Sequence, residues 1–440
     1  MRMEGKTTLS NTWVNWGRNQ KCIPSKYATP TKTDEVAKLV CLGVAERQKV
    51  RAVGASHSFS RLCASEGIMI DLSNFNSIIG IDQEHMQVTV GAGIRLFDLN
   101  RELESHGLAL PNLGDIDRQS LAGAISTGTH GTGINYHSIS QAVIGLKIVT
   151  GDGGILECSP TENQNIFEAA RVSLGALGVI IEVTLQCVPA FRLRAIEQTT
   201  SINNVLELFE DAIGTADHTE FFWFPHTEIG TLKINSKTDD SPSYRSPYKA
   251  FLSDEVIANG GFELINRYAK FFPQRAQKIL ENQISTERRI SYVAPSHKVF
   301  CSARRVRFVE MEYAVPLEFL FEAFQKVREA TNQLDHPITF PIEVRVLGAD
   351  EIPLSPAYGR KSGYIAVHVY RGNPTEPYFQ IVENIMRTYD GRPHWGKVHT
   401  RTSQELSDLY PEWNKFQLVL EELDPDGHFS TPYLDRVLRN

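Results

Sequence analysis

Residues Val53–Ser60 read VGASHSFS. A short apolar run, VRAV, leads into them as a strand, and Gly54, Ala55 and Ser56 are small enough to let the backbone approach a ligand closely. A histidine, His57, stands in the middle. A second stretch of the same character, LAGAISTGTHGTG, covers Leu121–Gly133. Backbone N–H groups in such loops form anion-binding nests. The pair reads either as a cradle for a pyrophosphate or as two ordinary turns. Neither is a nucleotide fingerprint of the common kinds. The nearest imitation of G-x-G-x-x-G is GAGIRL, with Leu96 where the third glycine belongs, and no G-x-x-x-x-G-K-[ST] occurs. The sequence therefore argues against Rossmann and P-loop sites.

The chain has 440 residues, 41% hydrophobic and 22% charged, with a formal net charge of −7. It is too long for one ordinary domain, so two are expected. An acidic balance argues against a nucleic-acid partner. No apolar run reaches the roughly 20 residues of a membrane span. The start lacks the apolar core of a signal peptide, and a cytoplasmic location is expected. Cys22, Cys41, Cys63, Cys158, Cys187 and Cys301 are scattered, and read as free buried thiols. No H-x-x-x-H or H-E-x-x-H spacing exists, so no metal is expected. ASHS is not the G-x-S-x-G elbow of a serine hydrolase.

The first part of the chain mixes helix and strand signals. Thr33, before Asp34 and Glu35, reads as the N-cap of a helix. IRLFDLNRELESHG is an amphipathic helix stopped by Gly107. GIMIDLSNF, QVTVGAG and VIIEVTLQCV are strands, and AVIGLKIVTGDGGILECS is a hairpin. FEAARVSLGALG reads as a helix. Pro189 marks a boundary. Beyond it strand patterns dominate (EFFWFPHTE, GTLKIN, RRVRFVEMEYAVP, FPIEVRVLG, GYIAVHVY), with helices over 317–333 and 379–389. That pattern is an antiparallel sheet backed by helices. SKTDDSPSYRSPYK between them is a surface loop.

In PIEVRV, Glu343 and Arg345 are two apart on a strand and share a face, while Ile342, Val344 and Val346 take the other. The pair is either a solvated salt bridge or a site. GYIAVHVY sends Tyr364, Ala366, His368 and Tyr370 to one face. GRPHWGKVH gathers His394, Trp395, Lys397 and His399 around a glycine, an unusual turn for a ligand to meet.

Five stretches then follow in a familiar order. VGASHSFS, LALPNLGDIDRQSLAGAISTGTHGTG, LGALGVIIEVTLQCVP, EVRVLGADEIPLSPAYGR and GRPHWGKVH resemble the aldonolactone oxidoreductases of the vanillyl-alcohol-oxidase superfamily of flavoproteins. The resemblance runs from about Trp13 to Leu434 and is weakest around Ser236–Lys298. It implies an α+β fold of two domains. An FAD-binding domain of two α+β sub-lobes would span residues 1–189, completed by the tail 400–440. A cap domain, a mainly antiparallel sheet flanked by helices, would span 190–399.

The resemblance also implies site residues. FAD would be held by Val53, Gly54, Ala55, Ser56, His57 and Ser58 of the first loop. Gly114, Asp115, Ser120, Gly123, Thr127, Gly128, His130 and Gly131 of the second stretch, Gly178, Val179 and Ile180, and Lys397 would join them. His57 would carry the flavin covalently at its 8α-methyl. With no cysteine between Ala64 and Glu157, a single attachment is implied. Glu343, Arg345, Lys397 and His368 would be catalytic. The reaction would oxidise a sugar 1,4-lactone, L-gulono-1,4-lactone or a close relative, beside its carbonyl, giving ascorbate or an analogue. Dioxygen would accept the electrons and become hydrogen peroxide. Gly114, with no Cβ, would leave dioxygen a path to the flavin, or it merely permits a turn after Pro111. His368 matches the related alditol oxidases, which keeps an open-chain polyol as an alternative substrate. A lactone dehydrogenase using another acceptor is a further alternative.

Overall fold

The structure is a computed structural model that describes residues 12–243, 266–268, 287–302 and 306–439. Strands β1 (Lys26–Ala28), β2 (Val50–Val53) and β3 (Ile68–Asp71) form a parallel sheet in the order β1-β3-β2. Helix α1 (Thr33–Ala45) makes the crossover and buries Val36 and Val40 against it. Ile68, Met69 and Ile70 are all buried, as expected of a parallel strand covered on both faces. Thr33 is not the cap: it is the first helical residue, and Glu35 accepts the N–H of Thr31 at 2.7 Å. A carboxylate two residues into the helix serves the free donors better than the Thr33 hydroxyl.

A second, antiparallel sheet contains β4 (Ile78–Asp82), β5 (Gln87–Gly91), β6 (Val143–Val149), β7 (Ile155–Cys158) and β8 (Val179–Gln186), in the order β7-β6-β8-β5-β4. β6 and β7 are the expected hairpin. Helix α2 (Leu96–Ser105) stops before Gly107, whose φ is +71°. Helix α3 (Leu121–Ser126) lies inside the second glycine-rich stretch. Helix α4 (Gln164–Ala170) is shorter than the reading of FEAARVSLGALG as one helix. Leu174, Gly175 and Gly178 take φ of +56°, +65° and +134°, outside the right-handed helical region, so the chain leaves the helix there.

The largest sheet has eight antiparallel strands. They are β9 (Arg192–Ser201), β10 (His218–Trp223), β11 (Ile229–Thr238), β12 (Arg288–Pro295), β13 (Phe308–Pro316), β14 (Ile342–Leu347), β15 (Ser362–Tyr370) and β16 (Arg392–Pro393), in the order β12-β9-β11-β10-β14-β15-β13-β16. Phe221, Val344 and Val367 of one face pack with Phe209, Phe324 and Phe379 of helices α5 (Ile202–Ile213), α6 (Leu320–Asn332) and α7 (Tyr378–Arg387). Strand β11 takes Ser236–Thr238 from the expected surface loop, and 244–249 of that loop lie outside the described residues.

The tail returns to the first lobe. Helix α8 (Trp413–Leu423), Phe429 and Val437 share the core of α1, β2 and β8, and the N–H of Val50 donates to the carbonyl of His428 at 2.8 Å. All six cysteines are free; Cys41 is exposed, against the expectation, while Cys22, Cys158 and Cys187 are buried and Cys63 and Cys301 half-buried. Among the described residues no helix is long and apolar enough to cross a membrane.

Candidate active site

Because strand side chains alternate, the face of the large sheet away from α5–α7 is free to be polar. It floors a cavity of 960 Å³. Glu310 and Glu312 of β13, Glu343 and Arg345 of β14 and His368 of β15 reach it from the sheet. His57, Gly114, Asp115 and His130 reach it from the first two lobes, and His394 and Lys397 from the turn before the tail. Register brings the sheet residues together: Glu220 opposes Arg345, Ala366 lies between Glu343 and Glu312, and Glu310 opposes His368. The small side chain of Ala366 leaves room between the two carboxylates.

Arg345 both lines the cavity and makes ion pairs. Its Nη2 meets Asp115 Oδ1 at 2.6 Å and pairs with Glu343, and its Nε donates to Glu220 Oε2 at 2.9 Å. Burial disfavours its charge, but Asp115, Glu343 and Glu220 outweigh burial and hold the guanidinium protonated. Glu220 also accepts from Lys233 Nζ at 3.1 Å. Isolated buried charges are costly, and this set is tolerable because each carboxylate has a cation.

The second cation is Lys397, which pairs with Glu310 and lies 4.0 Å from Glu312. His368 donates from Nδ1 to the carbonyl of Pro341 at 3.0 Å and turns Nε2 to Glu310 at 3.6 Å. His130 repeats that arrangement: Nδ1 donates to the carbonyl of Gly131 at 2.8 Å, and Nε2 faces Glu312 at 3.4 Å. A carbonyl can only accept, which fixes both Nδ1 atoms as donors. Burial opposes ionisation of Glu310, yet Lys397 and His368 bring its carboxyl down to about 2. Glu312 is likewise held well below the usual range, against burial, chiefly by His130 and Lys397. Burial pushes His394 down to about 3, and its Nδ1 accepts the N–H of Gly396 at 3.0 Å.

The glycine-rich loops meet beside this cavity. A Cβ on Gly54 would lie 1.8 Å from Ser120 Oγ, so the two loops touch here and a side chain at this position would displace Ser120. Val53, Gly54, Ser58, Ser120, Gly123, Thr127, Gly178 and Ile180 line a cleft between the loops, and Ser58 and Thr127 also line the cavity, so the two spaces adjoin. Ala55, Ser56, Gly128, Gly131 and Val179 line neither. Gly131 is pressed against Leu113, where a Cβ would meet the carbonyl at 2.2 Å, and Val179 is buried in β8. Arg51 and Arg95 line the cleft. Arg51 is buried, donates to the carbonyls of Gly175 (2.7 Å) and Phe429 (3.2 Å), and has an Nε with no partner among the described residues. A cleft between the two loops, with a buried guanidinium whose Nε alone lacks a partner among the described residues, adjoins a wide cavity, and together they would suit an extended dinucleotide.

Burial, followed by Arg95, Lys397 and Arg307, pushes His57 down to about 4, so its imidazole is neutral near pH 7. Gly114 lines the cavity, but a Cβ there would point to the carbonyl of His130 at 2.9 Å. Trp395 and His399 of the GRPHWGKVH turn face away: Trp395 donates to the carbonyl of Leu354 at 2.6 Å, and His399 meets the Tyr433 hydroxyl at 2.7 Å. Glu220, Glu310, Glu312 and Arg51 were not singled out by the sequence reading. Their signal was present, as lone charges at alternate positions of apolar strands (EFFWF, FVEMEYAVP, VRAV). His130, Glu312 and His394 are close enough to share an ion, as are Asp115, Glu220 and Glu343. Lys397 and Arg345 already supply positive charge at those places.

Folded-state pKa values below the unfolded ones mean that Glu310 and Glu312 stabilise the fold above about pH 4.3 and lose that contribution as pH falls towards 2. Lys397→Met removes a cation that both share. Its acid-unfolding midpoint, followed by circular dichroism, is expected at higher pH than that of the wild type.

Comparison with known proteins agrees with this architecture. Residues 24–159 match the FAD binding domain family, and residues 183–437 match the family described as D-arabinono-1,4-lactone oxidase. The chain is 40% identical over 433 residues to an L-gulono-1,4-lactone dehydrogenase of Mycobacterium tuberculosis, covering 98% of this chain and 100% of that protein. It is 34% identical over 436 residues to an L-gulonolactone oxidase of Mus musculus, covering 96% and 97%. In fold it is similar to the crystal structure of cholesterol oxidase from B. sterolicum, with a TM-score of 0.78 at 18% identity, covering 100% of both chains. With an FAD-binding half, a large antiparallel sheet over it and these full-length relatives, the chain belongs to the aldonolactone oxidoreductases, FAD-binding enzymes of the vanillyl-alcohol-oxidase fold.

Proposed function

We propose that this protein oxidises a sugar 1,4-lactone, L-gulono-1,4-lactone or a close relative, at the alcohol beside the carbonyl, giving ascorbate or an analogue. Residues 1–189 with the tail 400–440 would hold FAD, attached through His57, and residues 190–399 would cover it. The observation that carries the reading is the pair of cations, buried Arg345 and half-buried Lys397, on the walls of one cavity with His57. Bound FAD would supply a two-electron acceptor for the hydride of the alcohol carbon. Arg345 and Lys397 would set fixed positive charge where negative charge builds up, without solvent having to rearrange. Glu343 would orient Arg345 and accept a hydrogen bond from a substrate hydroxyl. His368, polar and beside Glu310, would meet a further hydroxyl, which also suits an open-chain polyol. Arg345→Ala is expected to slow flavin reduction by the lactone about a hundredfold with flavin still bound, read by anaerobic stopped-flow. Near-normal reduction would leave Arg345 as a structural ion pair only.

We further propose dioxygen as the acceptor, with hydrogen peroxide as product, because Gly114 adds no side chain to the cavity wall. The name of the 40% identical relative, a dehydrogenase, favours a second reading in which another acceptor serves. Slow reoxidation of the reduced wild type by oxygen would establish that second reading. If the first holds, Gly114→Ala slows reoxidation more than reduction by substrate and keeps activity with a dye acceptor. Equal slowing of both half-reactions would show that the glycine serves its close contact with the carbonyl of His130.

A further inference from the structure

The stretch Trp13–Gln20, WVNWGRNQ, has no part in the reading so far, yet it grips the loop that carries His57. Trp13 Nε1 donates to Ser56 Oγ at 3.1 Å and the N–H of Trp16 donates to the carbonyl of Ser56 at 2.8 Å. Asn15 Nδ2 donates to the carbonyl of Ser58 at 2.9 Å, and Asn19 Nδ2 to that of Phe59 at 2.8 Å. Ser56, just before His57, has a φ of +60°, a left-handed conformation that a residue with a Cβ adopts only when its surroundings enforce it. The Trp16 ring stacks on the His57 imidazole, with centroids 5.3 Å apart and planes 29° apart. Trp16 is in turn fixed from the large sheet. Phe308 meets its ring edge-on at 5.3 Å, Arg307 lies over it at 5.8 Å, and Arg307 Nη1 donates to its carbonyl at 2.7 Å.

We propose that Trp16 is a positioning residue for covalent flavin attachment: it holds the His57 ring by its face, in the orientation from which an imidazole nitrogen meets the flavin 8α-carbon. The inference rests on the reading of His57 as the attachment residue. A stacking anchor suits this task. A hydrogen bond would occupy the in-plane lone pair that must form the new bond, whereas stacking leaves both ring nitrogens open. Among the described residues the His57 ring makes no hydrogen bond. Its neutral state near pH 7, set by burial and by Arg95, Lys397 and Arg307, keeps that lone pair available.

In the attachment step an imidazole nitrogen bonds to the 8α-carbon and a C–H bond there breaks. One proton leaves the carbon and one leaves the imidazole N–H. The two electrons remain with the flavin ring and pass, with two protons, to dioxygen, giving one hydrogen peroxide per attachment.

Full-length protein from riboflavin-starved cells, mixed with FAD in air, tests this. Covalent flavin is followed by fluorescence in denaturing gels at timed intervals, and total bound flavin by absorbance after desalting. With Trp16→Ala, attachment is expected to slow about a hundredfold, as for reacting atoms misplaced by about an ångström, while total bound flavin and melting temperature stay near wild type. Trp16→Phe keeps a stacking ring and is expected to restore most of the rate. Attachment by Trp16→Ala at the wild-type rate overturns the proposal. So does loss of total flavin in proportion to covalent flavin, or a Phe variant no better than Ala. Should Trp16→Ala fail to fold, Arg307→Met releases Trp16 from the sheet side: slowed attachment at normal flavin content supports the proposal, and a wild-type rate overturns it. Wild-type protein whose flavin is wholly released by acid overturns the attachment reading itself, and the role of Trp16 with it.

Discussion

A guanidinium enclosed by three carboxylates joins the halves of this molecule. Asp115 comes from the lobe with the glycine-rich loops, and Glu220 and Glu343 from the large sheet; Arg345 reaches all of them. Withdrawing so many charges from water is affordable only if every anion finds a cation at short range. The sheet meets that demand by its geometry. Side chains alternate, so one face of β10, β14, β15 and β13 is apolar against helices while the other carries ionised groups in register. The same constraint repeats around Lys397, with Glu310, Glu312 and two histidines.

Balanced charge has a chemical consequence. Arg345 is held protonated by carboxylates that belong to the protein, so its positive charge is present before any ligand arrives. Preorganised charge needs no solvent rearrangement when a reaction moves electrons, which is where such sites gain most. The histidines are pinned for the same reason: Pro341 and Gly131 fix one nitrogen of His368 and His130, leaving Nε2 of each against a carboxylate.

The ends of the chain complete what the middle builds. The N-terminal stretch Trp13–Gln20 closes on the His57 loop from one side. The turn at Trp395–Lys397 meets the same loop from the other, where the N–H of Phe59 donates to the carbonyl of Gly396 at 2.6 Å. The tail beyond it enters the first lobe's core and reaches Arg51 at the cleft. A loop with Ser56 at a φ of +60° is thereby held on several sides, as such a conformation requires.

The sequence by itself determined the elements and the local faces. Period-two patterning located five of the eight strands of the large sheet, missing β9, β12 and β16, and placed Glu343 and Arg345 on one face of a strand. Glycine spacing marked two loops as a candidate cradle and argued against the common nucleotide folds. Order and wording of five stretches carried the family. What it left open were matters of conformation and distance. Thr33 is not the cap because the helix starts one residue earlier, after Lys32, where Glu35 reaches back to the N–H groups of Thr31 and Lys32, and the FEAARVSLGALG helix ends at Ala170, before the positive φ values of Leu174, Gly175 and Gly178. Only the tertiary structure decided which charges share a cavity. Glu220, Asp115 and Arg345 lie far apart in sequence, and the pairing register that gathers them depends on long-range strand contacts that no local pattern encodes. The place of Trp16 against His57 was decided in the same way, by packing between the chain's start, its first loop and a strand some 290 residues later.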